Sequence, residues 1–388
     1  MNAALKSKIE KDFVARFHKK PSLFVAPARI NIIGEHVDYN DGFVMPAAID
    51  KAFVFAITSS GNEKCNIYAD DFKEGVSFSI HDLNPGETWL NYIMGMLDAF
   101  QRKGLLTGGV DCVFGGDIPA GAGMSSSAAL CCGFGAALND LYHLGLDKLT
   151  IAQMAQYAEH EFAGVNCGIM DQYACLFGED KCALLLDCRS LTHETLNFYF
   201  PDHSLLLIDT KVKHTLSSSA YNDRREACEA GVWAVQKKYK EVHSLRDVTR
   251  AMLLEHQEKL GEDIFTKCLF IVEEIERARK GGELVKQKDF SGLGDLMYKA
   301  HWGLSKSYNV SCQELDFLVM LGEQNKADVI GSRMMGGGFG GCTINLIRNE
   351  AQESFKETVR KKYFTTFNHE PEFYSVRLSE GVHKLNND

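Results

Sequence analysis

The stretch Asp117-Ile118-Pro119-Ala120-Gly121-Ala122-Gly123-Met124-Ser125-Ser126-Ser127-Ala128-Ala129-Leu130 decides how this chain is read. A strand expected at 110–114 runs into a Gly-Ala-Gly turn. Three serines follow, then a run of Ala and Leu that favours a helix over 125–141. The N-terminus of a helix presents free N–H groups and the positive end of its dipole, so it can hold an anion. Glycines let backbone approach a phosphate closely, and serine hydroxyls add hydrogen bonds or a magnesium ligand. The plainer alternative is a serine N-cap after an ordinary turn. Three consecutive serines after paired glycines favour the anion site. No Gly-Lys-Ser/Thr is present, so a P-loop is not implied.

Two more clusters flank this one. Met334-Met335-Gly336-Gly337-Gly338-Phe339-Gly340-Gly341-Cys342 matches GxGxxG in form. The match fails in context, because strands are expected on both sides, at 329–334 and 343–347, and no helix opens after it. Either the chain turns tightly there, or its backbone lies against a ligand. On the other side, Pro27-Ala28-Arg29-Ile30-Asn31-Ile32-Ile33-Gly34-Glu35-His36-Val37-Asp38-Tyr39-Asn40 delivers Glu35, His36 and Asp38 within four residues. Two acids beside a histidine suit a polyhydroxylated ligand, since carboxylates accept pairs of hydroxyl protons. Metal ligation needs more converging ligands than this segment holds, and exposed turn residues are the alternative. By position alone, Asp171 is an acid favoured at a helix start, and Glu159 is a solvated residue on a helix over 149–162. His160-Glu161-Phe162-Ala163-Gly164 does not complete His-Glu-x-x-His.

The composition bounds the rest. With 388 residues, 45% apolar and 24% charged, the chain reads as a globular protein of two domains, divided near 195–203 into 1–200 and 201–388. A formal charge of −10 argues against nucleic acid or anionic membrane as the main partner. Twelve cysteines without a Cys-x-x-Cys, and a charged N-terminus without a signal peptide, suggest reduced thiols in a cytoplasmic protein. No apolar run approaches membrane length. Strands are expected at 23–25, 30–33, 52–58, 65–69, 76–80, 110–114, 183–187, 205–209, 329–334, 343–347 and 373–377. Helices are expected at the N-terminus, at 89–100 and at the three stretches from 125 to 177, then at 217–240, 264–280, 287–302, 312–325 and 350–363. Mixed blocks without regular βαβ alternation make the fold class α+β.

In this order and at these intervals, the three clusters resemble the galactokinase family, whose superfamily also holds homoserine, mevalonate and phosphomevalonate kinases. The segment 29–49, centred on Gly34-Glu35-His36-Val37-Asp38-Tyr39-Asn40, is similar to the family signature, except for Val37 where threonine is common. Residues 119–130 resemble the superfamily's phosphate-binding motif and 336–341 its third, glycine-rich motif. Cys167 to Gln172, and Lys213-His214-Thr215-Leu216 through Tyr221, are also similar to family segments. The resemblance implies a two-domain small-metabolite kinase fold, neither P-loop nor Rossmann, with the active site between the domains. It implies catalytic roles for Asp171 and Arg29, and sugar contacts from Glu35, His36, Asp38, Gly168 and Tyr221. ATP contacts are implied for Gly121, Ala122, Gly123, Met124, Ser125, Ser126, Ser127, Gly336 and Gly337, and magnesium positions for Ser127 and Glu159. The implied activity is ATP- and Mg2+-dependent phosphorylation of D-galactose at C1, the first committed step of galactose use by the Leloir pathway. The expected partners are the two small molecules alone, and a monomer is expected. An N-acetylgalactosamine or other sugar kinase and a non-catalytic galactose sensor are the alternatives.

Overall fold

The computed structural model describes residues 3–86, 88–105, 108–212 and 217–386. The chain opens with helix α1 (Ala3–Phe17), whose buried Ile9 and Phe13 pack on strands β1 (Ser22–Asn31) and β3 (Pro46–Ser59); β2 (Phe43–Val44) lies between those strands in sequence. Next come β4 (Lys64–Ala69), β5 (Glu74–Ser79), α2 (Leu90–Arg102), β6 (Val110–Gly116), α3 (Ser126–Leu141), α4 (Lys148–Ala163) and α5 (Met170–Phe177). Strands β7 (Cys182–Asp187), β8 (Thr192–Asn197) and β9 (His203–Asp209) lead into α6 (Ser217–Gln236), α7 (Arg250–Glu255), α8 (Gln257–Lys286), α9 (Phe290–Lys306) and α10 (Gln313–Gln324). The chain closes with β10 (Val329–Met334), β11 (Cys342–Arg348), α11 (Gln352–Phe367), β12 (Glu372–Val376) and β13 (His383–Lys384).

Among the described residues three sheets result, with strand orders β13-β1-β3-β6-β4-β5, β2-β7-β8 and β10-β11-β9-β12. Every pairing is antiparallel except β4 with β6. A doubly wound parallel sheet is therefore excluded. The chain's end returns to the first sheet, where β13 pairs with β1.

One core fills the space between the first sheet and α2–α5, built from Phe55, Phe114, Phe134, Met96 and Leu97. Burying each such side chain contributes about 1.5–3 kcal/mol. A second core sets Ile30, Ile32 and Met45 against Leu207, Ile344 and Met297. It joins the first sheet to the sheet of β9–β12 and so fixes the two glycine clusters relative to each other.

The expected strands at 23–25 and 30–33 are one strand, β1, which runs through Pro27 and shifts register between Pro27 and Arg29. Proline reads as a breaker because it cannot donate to the ladder, but a bulge accommodates it. Strand β8 and helix α7 were not foreseen. The segment 213–216, part of the family resemblance, lies outside the described residues.

Candidate active site

The strand, glycine turn and helix form as expected from the sequence. Strand β6 ends at Gly116, Gly121 and Gly123 take φ values of 75° and 74°, and α3 begins at Ser126. Left-handed backbone at these two positions is what glycine permits without strain. Ser125 occupies the N-cap position of α3 at φ 54°, but its side chain makes no cap hydrogen bond. Its hydroxyl donates instead to Asp171 Oδ2. The Ser125 side chain therefore does not cap α3, and it leaves the N–H groups of the helix's first turn uncovered.

Asp171 sits in the first turn of α5, opposite Arg29 on β1. Arg29 Nε and Nη2 each donate to an Asp171 oxygen at 2.7 Å, and Nη1 donates to the Gly123 carbonyl at 2.7 Å. The Arg29 side chain is 4% exposed and that of Asp171 24%. Burial works against the Arg29 charge, yet the Asp171 carboxylate outweighs it and holds the guanidinium above its ordinary pKa. This bidentate pair ties the phosphate-type loop to α5.

The Glu35–Asp38 loop lines the same cavity. His36 Nε2 lies 3.3 Å from the Gly337 carbonyl, which only accepts, so Nε2 carries the proton. Its Nδ1 then accepts from the Tyr39 hydroxyl at 2.8 Å, and Tyr39 in turn lies 2.8 Å from the Tyr308 hydroxyl. Burial, only partly offset by Gly337, lowers the His36 pKa to about 3, so the imidazole is neutral. The rings of His36 and Tyr221 are 5.1 Å apart. Burial, and then the Asp171 and Glu35 charges, push the Asp38 carboxyl up to about 7. Gly168 does not itself line the cavity, but a Cβ there would stand 2.1 Å from Asp38 Oδ2, so only glycine leaves Asp38 its place.

Glu159 is buried, not solvated. Its Oε2 accepts from Ser127 at 3.0 Å and its Oε1 from Gln172 at 2.8 Å. Burial, then the Asp171 charge, push its carboxyl up to about 7. Helix periodicity placed Glu159 on α4 but gave no view of α3 and α5 closing over that face.

The second glycine cluster satisfies the first of its two readings. It is the turn of the β10–β11 hairpin, with Met335 N donating to Cys342 O at 3.0 Å. It also lies against backbone, that of the first glycine turn: a Cβ on Gly336 would stand 3.1 Å from Gly123 O, and one on Gly341 3.3 Å from Ala122 C.

Of the residues expected in the site, all except Gly168 line one cavity of about 780 Å3, within the size range of small-molecule sites. Among the described residues its lining holds five carboxylates (Glu35, Asp38, Glu159, Asp171, Asp209) but only two cations, Arg29 and Lys211. Lys211 is already paired with Asp209 and Glu372. A polyphosphate needs further positive charge there. Among the described residues no group of three or more His, Cys, Asp or Glu is placed to hold a metal ion. Mg2+ needs no such cage, since it is commonly held by one or two protein groups plus substrate phosphates. The Ser127–Glu159 pair fits that pattern.

Sequence reasoning missed Arg333, Arg224 and Tyr308, which support the site from the second half of the chain. Arg224 donates to the Tyr308 and Asn309 carbonyls at 2.9 and 2.8 Å. The one available signal was Arg333, the lone charge in strand β10.

Nine of the twelve cysteines are buried, and all twelve are free thiols. Cys167 lines the cavity, but burial, and then the Glu159 and Asp171 charges, hold its thiol well above the usual range. Cys342 is shifted the same way by burial and Asp209. Thiolate is the reactive form, so turnover is expected to be the same with and without reductant. An activity assay over a dithiothreitol series checks this, and a marked dependence would assign these thiols a functional part.

Three segments of the chain match known families: 11–59 the galactokinase galactose-binding signature, 91–179 the GHMP kinases N terminal domain and 283–365 the GHMP kinases C terminal domain. The galactokinase of Roseiflexus sp. (strain RS-1) is 38% identical over 361 residues, 93% of this chain and 92% of that protein. The galactokinase of Clostridium acetobutylicum is 36% identical over 371 residues, 94% and 95% of the two chains. The crystal structure of Lactococcus lactis galactokinase complexed with galactose superposes with a TM-score of 0.93 at 30% identity, covering 98% of this chain and 99% of that one. The Methanococcus jannaschii mevalonate kinase shares the fold at a TM-score of 0.64 and 16% identity, over 93% and 99% of the chains.

Proposed function

The chain belongs to the galactokinase family of the GHMP kinases, and on that premise we propose that it transfers the γ-phosphoryl group of ATP to the C1 hydroxyl of D-galactose, giving α-D-galactose 1-phosphate and ADP. The Arg29–Asp171 pair carries this reading. It touches the phosphate-type loop through Ser125 and Gly123, and Asp38 of the carboxylate loop feels its charge. An acceptor hydroxyl beside Asp171 would therefore be adjacent to a phosphate held at the start of α3.

As the sugar oxygen attacks phosphorus, the bond from the γ-phosphorus to the ADP oxygen breaks and the hydroxyl proton goes to Asp171. A carboxylate offers about four lone-pair sites. Arg29 Nε, Arg29 Nη2 and Ser125 Oγ occupy three, leaving room for one more donor. Arg29, fixed before the reaction, stabilises negative charge on the attacking oxygen. Glu35, His36, Asp38 and Tyr221 orient the sugar, and Gly168 leaves Asp38 its place. The loop 121–127, with Gly336 and Gly337, holds the nucleotide phosphates. Bound at Ser127 and Glu159, Mg2+ would neutralise charge on the β- and γ-phosphates. Galactose and ATP are thus its small-molecule substrates, and no helix among the described residues is long and apolar enough to cross a membrane.

The magnesium assignment has a pH signature. With a carboxyl near pH 7, Glu159 keeps its proton below that pH, and a cation must displace it. The Mg2+ concentration for half-maximal rate is therefore expected to rise as pH falls from about 8 to about 6. Ser127→Ala should raise that requirement, and Glu159→Gln should raise it and flatten its pH dependence. Unchanged Mg2+ titrations in both variants would remove the two residues from the metal site.

The substrate is tested by transfer of label from γ-phosphate-labelled ATP across galactose, N-acetylgalactosamine, glucose and mannose. Galactose should be the preferred acceptor. Preference for N-acetylgalactosamine would move the chain to that substrate, and sugar binding without transfer would make it a sensor.

A further inference from the structure

Arg333, on β10, is completely buried, one of the largest side chains to be so among the described residues. A guanidinium in that position is costly unless it is paired. Its Nη2 lies 2.5 Å from Glu35 Oε1, and its Nη1 donates to the Asn31 carbonyl at 3.1 Å. Glu35 Oε1 also accepts from Gly336 N at 2.8 Å. One oxygen of the carboxylate thus accepts from Gly336 N–H and lies against the Arg333 guanidinium as an ion pair, both from the second half of the chain. Behind the pair, buried Glu274 of α8 accepts from Gly34 N at 3.0 Å and pairs with Arg277, fixing the residue before Glu35 as well. Glu35 is 2% exposed, yet it lines the cavity.

Taking the cavity to bind galactose, as proposed above, we infer that Arg333 is the positioning residue for Glu35. With Gly336 N–H it occupies Oε1 and sets the carboxylate angle, so that Oε2 alone meets the sugar and selects for one hydroxyl. Arg333 acts through Glu35 and does not touch the reacting atoms. A guanidinium does this where a lysine would not, because its planar fork reaches Glu35 and Asn31 O at once.

The test compares kcat/KM for galactose with that for each monodeoxygalactose that keeps the C1 hydroxyl. In the native protein, loss of the hydroxyl that meets Glu35 should cost about 10- to 100-fold, the worth of a hydrogen bond to a charged group. Glu35→Gln identifies which sugar reports on this contact. In Arg333→Met the same sugar should lose most of its disadvantage, with penalties at the other positions and KM for ATP little changed. Arg333→Lys should fall between the two, and it carries the test if Arg333→Met does not fold. A purely structural role would lower all sugars in parallel. That outcome, or native discrimination in folded Arg333→Lys, would overturn the inference. If the native protein phosphorylates none of these sugars, it is the assigned function that fails.

Discussion

Asp171→Ala should lose about 10²–10⁴-fold in kcat, the usual contribution of a positioned general base, while the affinity for galactose changes far less. The structure adds a second consequence that the sequence did not reveal. Removing Asp171 strands Arg29, whose side chain is 4% exposed, without its bidentate partner. Breaking a buried pair typically costs about 3–5 kcal/mol, and the partial exposure of Asp171 points to the lower end. The alanine variant should therefore melt earlier as well as turn over slowly. Asp171→Asn keeps the shape and an oxygen for Ser125, although its amide faces Arg29 Nε donor to donor, so each variant's turnover is read beside its own melt. Single-turnover rates, calorimetric sugar binding and thermal melts of both variants make the check. Near-native turnover in either would remove Asp171 as the proton acceptor.

Arg29→Lys is expected to be nearly as damaging although it keeps the charge. A lysine cannot reproduce the two parallel bonds to Asp171 and the third to Gly123 O. The loss should be about 10²–10³-fold in kcat, as for removal of one preorganised donor at a developing anion. Comparing the two positions apportions the work. If Asp171 dominates as base, Asp171→Asn is the slower; if Arg29 dominates by stabilising the alkoxide, Arg29→Lys is the slower. An Arg29→Lys enzyme with native kcat would leave Arg29 only a structural part.

The site was more legible in the sequence than the means that hold it. The two glycine clusters and Glu35-His36-Val37-Asp38 are local patterns with local causes, and each appears where expected. Ser125 looked like a possible cap because its neighbours along the chain favour one. Its real partner, Asp171, lies 46 residues away. Glu159 looked solvated because helix periodicity says which residues share a face and nothing about what will cover it. The family resemblance singled it out, and packing of α4 against α3 and α5 explains why it is buried. Arg333 is the lone charge of its strand and was passed over, because its partner Glu35 is some three hundred positions away and no spacing rule connects them. The same limit applies to the fold. Strands β4, β6, β7, β10 and β11 were readable from apolar runs and breaks, whereas β8 was hidden by its mostly polar, exposed sequence. Burial at β1 hid Pro27's bulge inside what looked like two strands.

The account stands most directly on the position of the transferred phosphate. Phosphorus NMR of the product formed from galactose, ATP and Mg2+, with Asp171→Asn as control, reads it in one spectrum. The prediction is a single sugar phosphate coupled to the anomeric proton with the α configuration, formed in step with ADP and all but absent in the control. A phosphate on any other carbon, release of inorganic phosphate with no sugar ester, or equal product from Asp171→Asn would contradict it.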